Sequence, residues 1–343
     1  MRMISNCNVC VVGGAGFLGS HLVNHLVEDR ACKVLVIDNL VAGCRHYVHP
    51  AARFEHADIT DSEDYLRGLF HKYKTQYVLN YSAWPYIVDS FSRPLHVFKV
   101  NATGAMQVIN AAQEAGVEAI LQVSSAELYG RGRVVDDTVL PGCIDEENLV
   151  EPHSTYGAAK AAVDYYCQCA WRERQTSVIA LRQFNCLGER ETHSYVVPEI
   201  ISQIERHRSH YATASLEGDN VDSPIVRLGN DSFRDFLYAG DAVRLAVDLL
   251  EKGTFGEVYN LGSEEGIKIY DLAKMVGKLM GFEDVQVEED AARKRPWEIW
   301  HLLSSNEKIY SVIGRPELVP LKEALQRTIA WYEANGRRWP WER

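Results

Sequence analysis

The sequence predicts an α/β protein, a doubly wound parallel sheet that carries a smaller α/β lobe toward its C-terminus. Three observations predict it. Short β-branched runs alternate with longer amphipathic stretches through the first half. A glycine-rich loop joins the first run to the first amphipathic stretch. After about residue 185 the alternation loosens into helical patterns separated by short apolar runs.

Taken in order, NVCVVG, KVLVID, ARFEHAD, YVLNYSA and AILQVSS read as strands. Between them GSHLVNHLVED, EDYLRGLFHKY and HVFKVNATGAMQVINAAQEAG repeat apolar residues at the helical spacing. Strand, helix and strand in succession make a parallel sheet with helices on both faces. Residues 130–153, rich in Gly, Asp, Glu and Pro, read as a surface loop. Farther on, VPEIISQIERHR, DAVRLAVDLLEKG, IYDLAKMVGKLMG and LKEALQRTIAWYEANG read as helices, and PIVRLG and EVYNLG as short strands.

A chain of 343 residues, 46% hydrophobic, buries a large core without disulfide or metal staples. Its 36 basic and 47 acidic residues give a net charge of -11. That disfavours nucleic-acid backbones and leaves room for a local basic pocket around one diphosphate. Mean hydropathy is -0.21, and no apolar run approaches the roughly 18 to 20 residues that cross a bilayer. The opening MRMISNCNVC lacks the basic-then-apolar layout of a secretory signal, so a soluble, cytoplasmic protein without membrane partners is expected. Eight scattered cysteines are then expected as reduced thiols. Cys7 and Cys10 have CxxC spacing, but no second pair follows and the segment reads as a buried strand, so no metal is expected.

The loop Gly13-Gly14-Ala15-Gly16-Phe17-Leu18-Gly19 suits a pyrophosphate. Its glycines permit a tight turn, close approach of the phosphates, and tight packing of a helix whose N-terminus faces them. KVLVID ends at Asp38, 19 residues beyond Gly19. A carboxylate there hydrogen-bonds the adenosine ribose and repels a 2′-phosphate, which favours NAD over NADP. Asp58 and Ile59 are candidate adenine contacts; equally, Asp58 serves a helix that begins near Ser62.

Tyr156 and Lys160 stand four residues apart on one helical face. A phenol is a poor base at neutral pH, but a nearby ammonium and a cationic nicotinamide favour its phenolate. Tyr156 would then take a hydroxyl proton while hydride leaves the same carbon.

Together the glycine loop, Asn101 within VNATG, Ser124-Ser125-Ala126-Glu127-Leu128-Tyr129-Gly130, and Tyr156 with Lys160 resemble the extended short-chain dehydrogenase/reductases that modify nucleotide sugars. Arg182-Gln183-Phe184-Asn185, Arg234-Asp235-Phe236 and Arg295-Pro296 extend the resemblance to about residue 335. It implies a Rossmann-type sheet, with residues 1–185 binding NAD and 186–343 mainly binding a nucleotide sugar, some segments returning to the first domain. Gly13, Gly16, Phe17, Leu18, Gly19, Asp38, Asn39, Asp58, Ile59, Tyr81, Ser82, Ala83 and Asn101 would line the cofactor. Tyr156 would be the acid/base at the sugar 4-hydroxyl, Lys160 would hold the nicotinamide ribose and lower the Tyr156 pKa, and Ser125 would bond the 4-oxygen. Asn185, Trp84 and Tyr86 would meet the substrate, and Arg234 and Arg295 would grip its diphosphate.

Oxidation at C4 acidifies the proton on C5, and Glu127 is a carboxylate placed for that carbon in the resemblance. Similar 4,6-dehydratases and uronic-acid decarboxylases carry Glu there, whereas simple 4-epimerases often carry a neutral residue. Ala126 departs from the pattern, because dehydratases place a proton donor at that position and alanine has none. Cys186 and His193 are candidate donors, or else a buried thiol and a loop histidine; His207 and His210 read as surface residues. The expected function is an NAD-dependent NDP-sugar epimerase/dehydratase acting through transient C4 oxidation, most simply on a UDP-sugar. A UDP-uronic acid decarboxylase and an NDP-4-keto-sugar reductase are alternatives, as is a non-catalytic dinucleotide-sensing protein. Asp38 speaks against the reductase, and the intact Tyr156 and Lys160 against the sensor. Similar enzymes pair as homodimers through helices near residues 96–115 and 155–173, which makes Met106, Val163, Tyr166 and Ala170 candidates for the seam.

Overall fold

A computed structural model describes residues 2–130, 134–135, 138–139, 142–192, 194–214 and 223–335. Its centre is a seven-stranded, all-parallel sheet. The strands are β1 (Asn8–Val12), β2 (Lys33–Asp38), β3 (Arg53–His56), β4 (Tyr77–Asn80), β5 (Ala119–Ser125), β6 (Val178–Gln183) and β7 (Val258–Leu261), in the spatial order β7-β6-β5-β4-β1-β2-β3. Strand order reverses between β1 and β4, which opens a crevice at the carboxyl ends of those strands. Register sets the ends level, with Val12 opposite both Ile37 and Asn80.

Both faces of the sheet are covered, which is why its strands are apolar almost throughout. Successive residues of β1 divide between the faces. Val9 and Val11 pack with Leu22, Val23 and Leu26 of α1 (Phe17–Glu28) and with Leu245 and Leu249. Cys10 and Val12 pack with Leu66 and Phe70 of α2 (Glu63–Lys72) and with Val108 and Ile109 of α3 (Ala105–Glu114). The long helix α4 (Thr155–Arg174) follows the residue 130–153 segment. A separate core joins α5 (Val196–Ala214), α7 (Ile269–Leu279) and α8 (Leu321–Asn335) through Ile200, Ile204, Leu272, Val276 and Leu325. Between them α6 (Ala239–Lys252), β7 and the helix Glu307–Ile313 join the central sheet and its core.

Two expectations change here. The segment 130–153 is not wholly superficial: Ile144 is buried, its N–H donates to Leu303 O (2.7 Å), and its carbonyl accepts from Ser305 N–H and Asn260 Nδ2. Composition marked this stretch as loop, but one isoleucine pins it between the two halves. The helix expected from residue 96 is also interrupted, because a π-helical turn at Lys99–Gly104 precedes α3.

All eight cysteines are free. The CxxC pair diverges across the sheet, and Cys7 Sγ instead lies 3.6 Å from Cys32 Sγ. Among the described residues no three potential metal ligands converge, and no helix is long and apolar enough to cross a membrane.

Candidate active site

A cavity of about 330 Å³ runs along the carboxyl ends of the central strands. At one end Gly13 has φ +80°, and a Cβ there would stand 2.7 Å from Ser82 N. Gly19 is tighter still, with a Cβ position 2.0 Å from Gly13 O, so only glycine lets α1 close onto the loop. Asp38 is buried and accepts from Ala15 N–H (2.9 Å) and Leu40 N–H (2.7 Å). Burial raises its pKa, and those two N–H groups oppose the rise. Asn39 Nδ2 donates to Asp58 Oδ2 (2.7 Å), and Asp58 Oδ1 accepts from the Thr60 N–H and hydroxyl. Ser62, not Asp58, caps α2 by accepting from Tyr65 N–H.

Gly13, Gly16, Phe17, Leu18, Gly19, Asp38, Asn39, Asp58, Ile59, Tyr81, Ser82 and Ala83 all line this cavity. Buried Tyr81 Oη and Gln183 Oε1, also at its wall, have no partner among the described residues. A cradle that a Cβ would fill, a carboxylate at the end of β2 and unpaired polar atoms fit a dinucleotide. Asn101 is the exception among the expected cofactor residues. It does not line the cavity, and both its amide atoms hold the Trp84 backbone (Oδ1 from N–H, 2.7 Å; Nδ2 to O, 3.1 Å). The π-helical turn presents it to that loop, a tertiary contact that its sequence motif does not reveal.

Toward the other end, Ser154 caps α4 by accepting from Gly157 N–H (3.0 Å). A Cβ on Gly157 would stand 2.8 Å from Glu127 O, so the helix start abuts the turn after β5. Ser125, Ala126, Glu127, Tyr156, Lys160 and Asn185 thereby share the cavity wall. Lys160 Nζ donates to Val123 O (3.2 Å) and lies 5.9 Å from the Tyr156 ring centroid. Burial lowers the Lys160 pKa to about 8. The Tyr156 phenol is not lowered in the protein alone: burial and the Glu127 charge push it up, against a hydrogen bond with Ser125. In the protein alone, burial and the Glu127 charge thus oppose the lowering expected of Lys160 and a cationic nicotinamide.

Glu127 stands 3.8 Å from Arg295 Nη1. Burial raises its pKa, while Arg295 and Arg234 pull it down. Neither arginine lines the enclosed cavity. Arg234, itself buried, pairs with Glu298 (2.8 Å) and also donates to Phe233 O (2.9 Å). Glu298 was not singled out in the sequence, since nothing in RPWE shows that it folds back on Arg234.

Arg182 serves a framework instead of the cavity. It pairs with Asp164 of α4 (2.8 Å) and donates to the Tyr129 hydroxyl (2.7 Å), which donates to Asn260 Oδ1 of β7 (2.7 Å). This buried chain fixes the turn carrying Ser125 and Glu127 against the helix carrying Tyr156.

Trp84 lines the cavity and is held from behind, donating to Asp89 Oδ2 (2.8 Å) and meeting the His96 ring edge-on at 4.6 Å. Tyr86 does not line it and packs on Trp84. Cys186 lines it and donates to Phe184 O. His193 and the His210 side chain lie outside the described residues, and His207 is half-buried against Phe282. A residue that sequence reasoning missed is Glu191, buried at the cavity wall.

Fold and cavity define a dinucleotide-dependent enzyme. The family model "NAD dependent epimerase/dehydratase family" matches residues 9–262. A mouse dTDP-D-glucose 4,6-dehydratase is 30% identical over 96% of this chain and 90% of its own length. A Streptococcus mutans UDP-glucose 4-epimerase is 27% identical over 95% and 97%. Among solved structures, a Thermotoga maritima UDP-glucose 4-epimerase with UDP-glucose superposes with TM-score 0.82 at 25% identity, over 96% of this chain and 99% of that one. The chain belongs to the NAD dependent epimerase/dehydratase family, and its cofactor is NAD.

Proposed function

We propose that the protein oxidises a nucleotide-linked hexose at C4 and transforms the ketone by proton transfer at C5. Glu127 at the cavity wall, beside Arg295 and within the electrostatic reach of Tyr156, carries this reading. The glycine loop, Asp38 and Lys160 would hold NAD, which when bound supplies a hydride acceptor that later returns the hydride. Tyr156 takes the 4-hydroxyl proton, and Ser125 orients that oxygen. Glu127 takes the C5 proton, which the neighbouring ketone makes acidic. Arg295 and Arg234 receive the diphosphate, with Arg234 first leaving Glu298. Residues 1–185 thus form the cofactor half, and 186–343 mainly the nucleotide-sugar lobe.

The named activities of the relatives support two outcomes, 4,6-dehydration and 4-epimerisation. Glu127 favours dehydration, while Ala126 withholds the usual acid. Product analysis decides. UDP-, GDP- and dTDP-hexoses are incubated with the NAD-loaded protein, and products are read by NMR and mass spectrometry. Loss of one water with a 4-ketone supports the reading, and failure to oxidise any of them overturns it. Tyr156→Phe should retain NAD and lose C4 oxidation.

The homodimer belongs to this proposal with a changed seam. Val163 and Ala170 are enclosed within the chain, and the Tyr166 hydroxyl is spent on Asn110. Exposed apolar side chains of those helices and of the segment beside them include Leu95 (86%), Phe98 (39%) and Tyr165 (52%).

A further inference from the structure

We infer that Glu191 is the proton donor of the sugar end of the cavity, the acid that Ala126 does not provide. The inference rests on the reading above, in which a C4 ketone undergoes C5 chemistry. Its basis is how the chain delivers this one side chain.

Arg190 adopts φ +67°, a left-handed conformation that an arginine holds only at a cost. The turn sends neighbouring side chains to opposite places. Arg190 lines an outer groove with Asn24, Tyr47 and Trp331, while Glu191 lines the cavity. Glu191 is 2% exposed, and its Oε2 has no hydrogen-bond partner among the described residues. Its main-chain carbonyl is fixed by the Tyr332 hydroxyl of α8. A strained turn, a tether from another helix and an unpaired buried oxygen together make a side chain held for a ligand.

Burial raises both glutamates of the cavity, but what counters the rise differs. Two guanidinium groups act on Glu127, whereas Glu191 is raised by burial with only the Gly188 backbone opposing. Environments that separate two carboxyls in this way assign one as base and the other as acid. Other groups near Glu191, Cys186 and Tyr195, are weaker acids themselves.

At the ketone stage the C5–H bond breaks and its proton passes to Glu127. The freed pair forms C5=C6, the C6–O bond breaks, and the departing oxygen takes the Glu191 proton and leaves as water. Bound NAD would supply to C6 the hydride accepted from C4, while Glu127 returns its proton to C5, Tyr156 releases its proton to solvent and solvent reprotonates Glu191.

The test uses the full-length, NAD-loaded protein with dTDP-glucose and UDP-glucose in deuterated water. Glu191→Gln should keep the wild-type melting temperature, form bound NADH and exchange deuterium into C5. Formation of the dehydrated product should fall about 100-fold or more. Adding Ala126→Asp to that variant should restore part of the loss, and Glu191→Asp, which keeps an acid, should lose less. Dehydration within a few-fold of wild type in Glu191→Gln overturns the proposal, as does loss of NADH formation in parallel. A wild-type protein that forms NADH and yields only a 4-epimer overturns the Glu191 role alone. One that forms no NADH overturns C4 oxidation and the Glu191 role with it.

Discussion

Lys160 illustrates how the site is maintained against stability. Its ordinary pKa of 10.5 falls to about 8 in the fold through burial. The folded state therefore binds fewer protons than the unfolded chain between those values. Unfolding free energy should rise from about pH 8 to pH 10.5, and the penalty at neutral pH is on the order of 3 kcal/mol. Lys160→Met should accordingly match or exceed the wild-type melting temperature at pH 7 while losing C4 oxidation. Calorimetry beside an NADH assay checks both. The Tyr156 phenol gives a second expectation of known sign. The Glu127 charge raises it, so Glu127→Gln should lower it and shift the acid limb of C4 oxidation to lower pH. An unshifted limb in the pH profile would exclude that coupling.

At the scale of elements, the glycine loop and the framework behind the active turn make separable demands. Gly13→Ala would place an L-residue at φ +80° and a methyl 2.7 Å from Ser82 N. The conformation alone costs about 1 to 2 kcal/mol. Retention of NAD through purification should drop on the order of tenfold or more, measured on denatured protein. Removing Arg182 strands Asp164, and Arg182→Met should destabilise the fold by about 3 to 5 kcal/mol in denaturant unfolding. The loop, Asp38, Tyr156 and Lys160 were legible in the sequence because local spacing defines them. The hold of Asn101 on Trp84 was not legible for the opposite reason, since the two become neighbours only through the π-helical turn. Arg182, Glu191 and Glu298 act through groups far along the chain, and no period or motif marks such encounters.

For the whole molecule, the parallel sheet and its two covered faces follow from the alternation of elements, and the sequence reading of the fold class agrees with them. The dimer seam was harder to read. α4 is rich in small apolar residues on several sides, so its pattern does not say which side meets the sheet; Val163 and Ala170 turned inward, and Tyr165 outward. Light scattering should report a dimer at micromolar concentration, and Leu95→Glu with Phe98→Glu should yield a monomer that still binds NAD. A dimer unaffected by both changes would place the seam elsewhere.

The chain of hydrogen bonds from Asp164 through Arg182 and Tyr129 to Asn260 also bears on how the protein is made. On the ribosome, the nucleotide loop and the Tyr156 helix emerge long before β7. Until Asn260 leaves the exit tunnel, the Tyr129 hydroxyl lacks its acceptor and the turn bearing Glu127 is held from the Arg182 side alone. The hydrogen-bonded chain behind the Glu127 turn is thus complete only when the last strand of the sheet is delivered.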